Sequence, residues 1–162
     1  MLSYSDVLAV TAKCAHNIRW NDDRVHPQWI DLVGVCGHHH YDIALSETFT
    51  VRDTATRGPL MLHKPKLTLL HYLDEAAFYP QESDDHDLCL RGYMQFGFVC
   101  GHFPVSVHSD FTWSHRRKSG DTRPQVLREA EDKNNAMLLK RHAVYLRDSA
   151  KHNQERHVPL ND

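Results

Sequence analysis

Two copies of the tetrapeptide Val-Cys-Gly-His stand out in this sequence, at Val35–His38 and at Val99–His102. In a strand, residues i and i+2 point to the same face, so each copy would present a thiol beside an imidazole. Two thiolates and two imidazoles form a tetrahedral zinc site. The sequence therefore predicts a structural Zn²⁺ ion bound by two cysteines and two histidines that lie within a few ångströms of a common point. These four residues are Cys36, His38, Cys100 and His102.

Histidines surround the first copy, because His39 and His40 follow it directly. These two residues could replace a zinc ligand or hydrogen-bond to one. The chain is rich in histidine, with 14 among 162 residues. The competing interpretation is that the cysteines are small buried thiols at strand ends. In a chain this rich in histidine, a histidine next to each cysteine is then expected by chance.

The same residues also suggest a nucleophile and a base. The segment from Asp31 to Leu45 resembles the histidine box of the NlpC/P60–LRAT group of papain-like hydrolases and acyltransferases, and Phe98–Val105 resembles their cysteine box. This resemblance implies that Cys100 is a catalytic nucleophile and His40 its general base.

A third pattern suggests nucleic-acid binding. The segment Leu90–Phe96 (Leu-Arg-Gly-Tyr-Met-Gln-Phe) resembles the second motif of rolling-circle replication initiators, with Cys89 at the first metal-binding histidine position. The resemblance implies a relative without nicking activity that still binds nucleic acid. Basic residues in the C-terminal third could contact phosphates. The candidates are Arg116, Arg117, Lys118 and Arg123.

The pattern of apolar residues predicts the elements that would position these groups. Helical spacing predicts an N-terminal helix that ends near Arg19. β-Branched residues predict strands in the middle of the chain, including Trp29–Val35. The segment Leu88–Val99 is predicted to be a long strand in which Gly92 and Gly97 mark bulges or close approaches. An apolar stripe from Leu127 to Leu146 predicts a long C-terminal helix.

Together these elements predict an α+β fold: a mainly antiparallel central sheet with the N-terminal and the long C-terminal helix packed on it. Residues 1–150 are expected to form a single domain, and residues 151–162 a polar C-terminal tail. The net charge is −2 with neutral histidines, and the basic residues concentrate after Ser114. That imbalance is mild compared with most dedicated nucleic-acid binders.

Composition and motifs favour a small intracellular binding protein with an accessory or regulatory role, as in viral or phage accessory proteins. We expect no secretory signal and no membrane segment, and four cysteines in a cytoplasmic protein suggest thiols or metal ligands. Common catalytic motifs such as a Gly-rich phosphate loop or His-Glu-x-x-His are absent from the sequence, which points away from an enzyme. The expected partner is another protein, then nucleic acid, with a homo-oligomer as a further option.

Overall fold

The computed structural model describes residues 5–20, 23, 25–34, 49–56, 59–80, 82–104 and 125–148. Within these ranges it has seven strands and four helices. The strands are β1 (Val7–Thr11), β2 (Cys14–Arg19), β3 (Gln28–Gly34), β4 (Thr50–Arg52), β5 (Thr54–Ala55), β6 (Leu60–Leu62) and β7 (Val99–His102). The helices are α1 (Lys64–Leu69), α2 (Asp84–Phe96), α3 (Gln125–Arg141) and α4 (Ala143–Arg147). No helix in these ranges is long and apolar enough to cross a membrane.

The strands form two sheets, so the α+β class is confirmed and the single central sheet is corrected. The first sheet has the strand order β4-β7-β1-β6 and is mixed, because β1 and β7 run parallel while the other pairs are antiparallel. The second sheet, β3-β2-β5, is antiparallel. Strands β1 and β2 are consecutive in the chain but belong to different sheets. Strands β2 and β5 of the second sheet also contact β7 of the first, so the two sheets lie side by side there.

The predicted N-terminal helix is wrong, because its residues form β1 and β2. The apolar residues of this segment do not alternate with polar ones, so their spacing resembles that of a helix. In β1, the successive residues Val7, Leu8 and Ala9 are all buried. A strand covered on both faces loses the period-two pattern that normally identifies it.

The predicted long strand over Leu88–Val99 is also wrong, because most of it is helix α2. Three aspartates in the first turn suit the positive end of the helix dipole. Gly97 ends the helix with a φ of +70°, where glycine is favoured, and the amides of Gly97 and Phe98 donate to carbonyls of the last turn. Gly92 lets α2 approach β1, since a Cβ there would lie 2.6 Å from Leu8 Cδ2.

Helix α2 lies between two apolar clusters and contributes to both. Leu88 packs with Leu8, Leu70 and Cys100 on the side of the first sheet. Leu90 packs with residues of β2, α3 and α4 on its other side, including Ile18, Leu138 and Leu146. The predicted C-terminal helix is thus present as α3 and α4, and it packs against α2 and β2.

A buried carboxylate ties α4 to the sheets. Asp53, between β4 and β5, accepts hydrogen bonds from the Ile18 amide at 2.8 Å and from the Tyr145 hydroxyl. Its own amide donates to Asn17 Oδ1 at 3.0 Å. These bonds fix the backbone of Asp53, whose carbonyl oxygen faces the candidate site on β7.

Candidate functional site

The second Val-Cys-Gly-His copy forms strand β7, which pairs with β1 and β4. The strand begins at Val99, where the predicted strand Leu88–Val99 was expected to end, so the bounds of that prediction are wrong here. The glycine within it has a packing role: a Cβ at Gly101 would lie 2.1 Å from the Thr50 carbonyl oxygen. The small residue therefore allows the backbones of β4 and β7 to approach closely.

Cys100 is 3% exposed, and its single S–H is shared between two backbone carbonyls. The acceptors are the oxygens of Arg52 at 3.3 Å and Asp53 at 3.2 Å. Carbonyl oxygens accept a bond from a thiol but repel a thiolate, which is the form that attacks a substrate or binds zinc. This environment favours a neutral core thiol over a nucleophile.

His102 is buried, and its two ring nitrogens have different surroundings. One donates to the Ala12 carbonyl, and this must be Nε2 because Nδ1 has no hydrogen-bond partner. Burial lowers the pKa of His102; the bond to Ala12 opposes this shift, and the nearby Arg52 charge adds to it. The ring is therefore neutral near pH 7, with an unshared lone pair on buried Nδ1.

Gly34, the residue before the first Val-Cys-Gly-His copy, lies next to this ring. Gly34, the last residue of β3, packs so closely on His102 that a Cβ at Gly34 would lie 2.7 Å from His102 Cδ2. The residue before the first copy therefore packs against His102 of the second copy.

Several predicted site residues lie outside the described residues, and their placement is not tested. They are Cys36, His38, His40, Arg116, Arg117, Lys118 and Arg123. Among the described residues, no group of three or more histidines, cysteines or acidic residues is arranged to bind a metal ion. The motif that resembles rolling-circle initiators lies on α2, where Cys89 is buried in the apolar cluster with Leu88.

Sequence reasoning missed a second group of buried polar residues, centred on Asp87 of α2. Its fully buried carboxylate accepts hydrogen bonds from Arg91 at 2.6 Å and Arg141 at 3.0 Å, and contacts His142 Nε2 at 2.9 Å. Burial alone would raise the pKa of Asp87, but the bonds from His142 and Arg91 outweigh it and the pKa is lowered. The carboxylate is therefore charged and links α2 to α3 and α4.

Sequence reasoning also missed an aromatic cluster of His16, Trp29 and His86, which we call the His16 cluster. The three residues come from β2, β3 and α2, so no local spacing connects them. Burial, and then the neighbouring His86, holds the pKa of His16 well below its ordinary value. The excess of histidine in the composition was the one available signal.

No known protein family, curated protein or solved structure matches this chain. The fold and the chemistry of its side chains are therefore the basis for assigning a function.

Proposed function

We propose that this chain is a small intracellular binding protein whose fold is completed by a structural zinc ion between the two Val-Cys-Gly-His copies. The observation that carries the proposal is the state of His102. Histidines that bind metals usually donate their second ring N–H to a carbonyl, which orients the ring and leaves the other nitrogen for the ion. The bond from Nε2 to Ala12 and the unpartnered Nδ1 match that arrangement.

The ligand set that we propose differs from the sequence prediction at one position. Cys36, His38 and His102 bind the ion, and His39 or His40 takes the fourth place. Cys100 remains a neutral thiol, since a thiolate there would face the carbonyls of Arg52 and Asp53. Four protein ligands around one ion close a structural zinc site and would join the first copy to β7.

A matched pair of variants on β7 tests this assignment. We expect native mass spectrometry to find one zinc ion per chain in the wild type and in Cys100→Ser, whose hydroxyl can still donate its proton to one of the two carbonyls. His102→Gln removes the ligand nitrogen, and we expect it to bind zinc at least about a hundredfold more weakly. His63→Gln, at an exposed position, is the control for loss of any histidine. A zinc-free wild type, or loss of zinc in Cys100→Ser alone, contradicts the proposal.

A binding role fits this chemistry better than hydrolysis. A nucleophilic cysteine needs an accessible thiolate in an electropositive setting, and buried Cys100 has carbonyl oxygens around its sulfur instead. As partner we propose another protein, since the end of α1, the turn after it and the end of α2 carry the well-exposed apolar residues Leu69, Tyr72 and Phe96. Nucleic acid is the second candidate.

A further inference from the structure

The His16 cluster brings three aromatic rings together where β2, β3 and α2 meet. The ring centroid of His16 lies 4.3 Å from that of Trp29 and 5.2 Å from that of His86. The centroids of Trp29 and His86 are 4.6 Å apart, so the indole packs on both imidazoles. Trp29 is 38% exposed, whereas His16 is only 3% exposed. The indole therefore lies over the two buried imidazoles and shields them from solvent.

Neither ring nitrogen of His16 has a hydrogen-bond partner among the residues that the structure describes. Nδ1 and Nε2 are both buried and unpaired, and so is Nδ1 of His86. A neutral imidazole has one N–H donor and one lone pair, whereas an imidazolium has two donors and a positive charge. A buried charge without hydrogen bonds is far less favourable than a buried neutral ring. The cluster therefore accommodates neutral His16 and opposes its protonated form.

One titratable group on the neighbouring elements contacts the His16 ring, and this is His86 of α2. His86 becomes positive when it is protonated, so it opposes a charge on His16. Asp85 Oδ1 lies 3.8 Å from His86 Nε2, which places this carboxylate beside the second imidazole. The other charged groups on these elements bind different partners; they are Asp31 on β3, Arg52 on β4, Asp53 before β5, Asp87 on α2, His102 on β7 and Arg147 on α4. Within the described residues, no carboxylate therefore balances the charge of protonated His16.

We propose that the His16 cluster is an acid-sensitive switch, in which protonation of His16 displaces Trp29 and opens the contact between β3 and α2. Trp29 can move at little cost, because its side chain is already partly exposed and β3 lies at the edge of the described sheet. Movement of this side chain leaves the pairing of β3 with β2 intact. Once the indole has moved, water hydrates the imidazolium. The face of an indole also attracts a cation, but this attraction is weaker than the hydration that burial removes.

The pKa of His16 gives the direction of the switch. Burial, and then the neighbouring His86, holds this pKa in the closed form well below the ordinary value of 6.5. The closed form is therefore fully favoured above about pH 6.5 and loses stability as the pH falls below that value. Because one proton is taken up, the equilibrium constant for opening rises by up to about tenfold per pH unit in this range.

Tryptophan fluorescence measured against pH tests the proposal. The full chain is titrated from about pH 8 to about pH 5. Quenching by acrylamide reports the exposure of the indoles, and far-UV circular dichroism reports the secondary structure. We expect the wild type to gain quenchable emission by about pH 5 while its secondary structure is retained. In Trp29→Phe the remaining emission comes from Trp20 and Trp113, and we expect this gain to be lost.

Histidine variants identify the titrating group. His16→Phe keeps an aromatic ring and removes no side-chain hydrogen bond, so we expect it to fold and to lose the gain in quenching; His16→Leu repeats the test with a different shape. The gain is expected to persist in His86→Phe, where His16 is still buried, and in the control His63→Gln at an exposed position. The proposal is overturned if the wild type shows no gain or if the gain persists in both His16 variants. Loss of secondary structure at the same pH would also overturn it, because the event would then be general unfolding.

The same titration separates this switch from the proposed zinc site. Acid also releases zinc, because its ligands bind it in their deprotonated form. A chromophoric chelator measures this release, which we expect at the same pH in the wild type and in His16→Phe, while only the wild type exposes Trp29. Exposure of Trp29 that follows zinc release in both proteins would overturn the inference. Protein without zinc would contradict the zinc proposal and leave the Trp29 titration as it is, so either can fail without the other.

Discussion

Asp87→Asn is expected to lower the free energy of unfolding by about 3 kcal/mol or more. The wild-type carboxylate is fully buried and forms ion pairs with Arg91 and Arg141. Arg91 lies on α2 and Arg141 on α3, so the carboxylate links two helices. An amide of the same shape removes the negative charge that Arg91 and Arg141 share, and among the described residues Arg141 keeps only its ion pair with the partly exposed Asp74. Removing one partner of a buried ion pair typically costs about 3–5 kcal/mol, because the remaining charge stays desolvated.

Asp74→Asn is the matched control for this substitution. Asp74 also contacts Arg141, at 2.9 Å, but its side chain is 35% exposed. Solvent screens such a pair, so we expect a loss of less than about 1 kcal/mol. The asparagine keeps Oδ1, which accepts the amide of Ala77. Urea denaturation measures both variants, and equal losses would contradict a central role for Asp87.

Gly101→Ala is expected to destabilise the protein by about 3 kcal/mol. The added Cβ would meet the Thr50 carbonyl oxygen at 2.1 Å and the Thr50 carbonyl carbon at 2.9 Å. Both contacts are with backbone, so no flexible side chain can move aside, and the pairing of β4 with β7 must shift. Overpacking of this kind usually costs about 1–3 kcal/mol and here falls at the upper end.

Gly97→Ala separates this clash from the general effect of losing a glycine. Gly97 has a φ of +70°, but nothing lies within 4 Å of its added Cβ. The expected cost is the conformational strain alone, about 1 kcal/mol. Thermal denaturation followed by circular dichroism compares the two variants. A Gly101→Ala protein no less stable than Gly97→Ala would show that β4 and β7 are not closely packed at this point.

Sequence patterns predicted elements where one face of the chain is exposed. Strand β3 was predicted because the segment Trp29–Val35 is rich in β-branched residues, and α3 because its apolar residues follow helical spacing. The prediction failed for β1, where consecutive residues are buried on both faces. It also failed for α2, where Gly92 and Gly97 suggested a strand with bulges. Both glycines have tertiary or terminal roles that local pattern cannot distinguish.

Only the residues of the repeated motif could be predicted for the candidate site, and not the groups that surround them. Cys100 and His102 were identified from residue type and spacing, but the two carbonyls that accept the Cys100 thiol come from β4 and the residue after it. Asp87 and its partners come from α2, α3 and the start of α4, far apart in the sequence. Buried polar networks of this kind depend on tertiary packing, and no spacing rule identifies them.

X-ray absorption at the zinc edge tests the central claim most directly, because it reports the atoms bound to the ion. For protein purified with zinc, the proposed ligands Cys36, His38, His102 and one further histidine predict four neighbours: one sulfur and three nitrogens. Distances of about 2.3 Å to sulfur and about 2.0 Å to nitrogen are expected. Two sulfurs would show that Cys100 binds the ion, contrary to the neutral thiol proposed here. A shell of oxygens without sulfur, or folded protein without zinc, would contradict a site that joins the two Val-Cys-Gly-His copies.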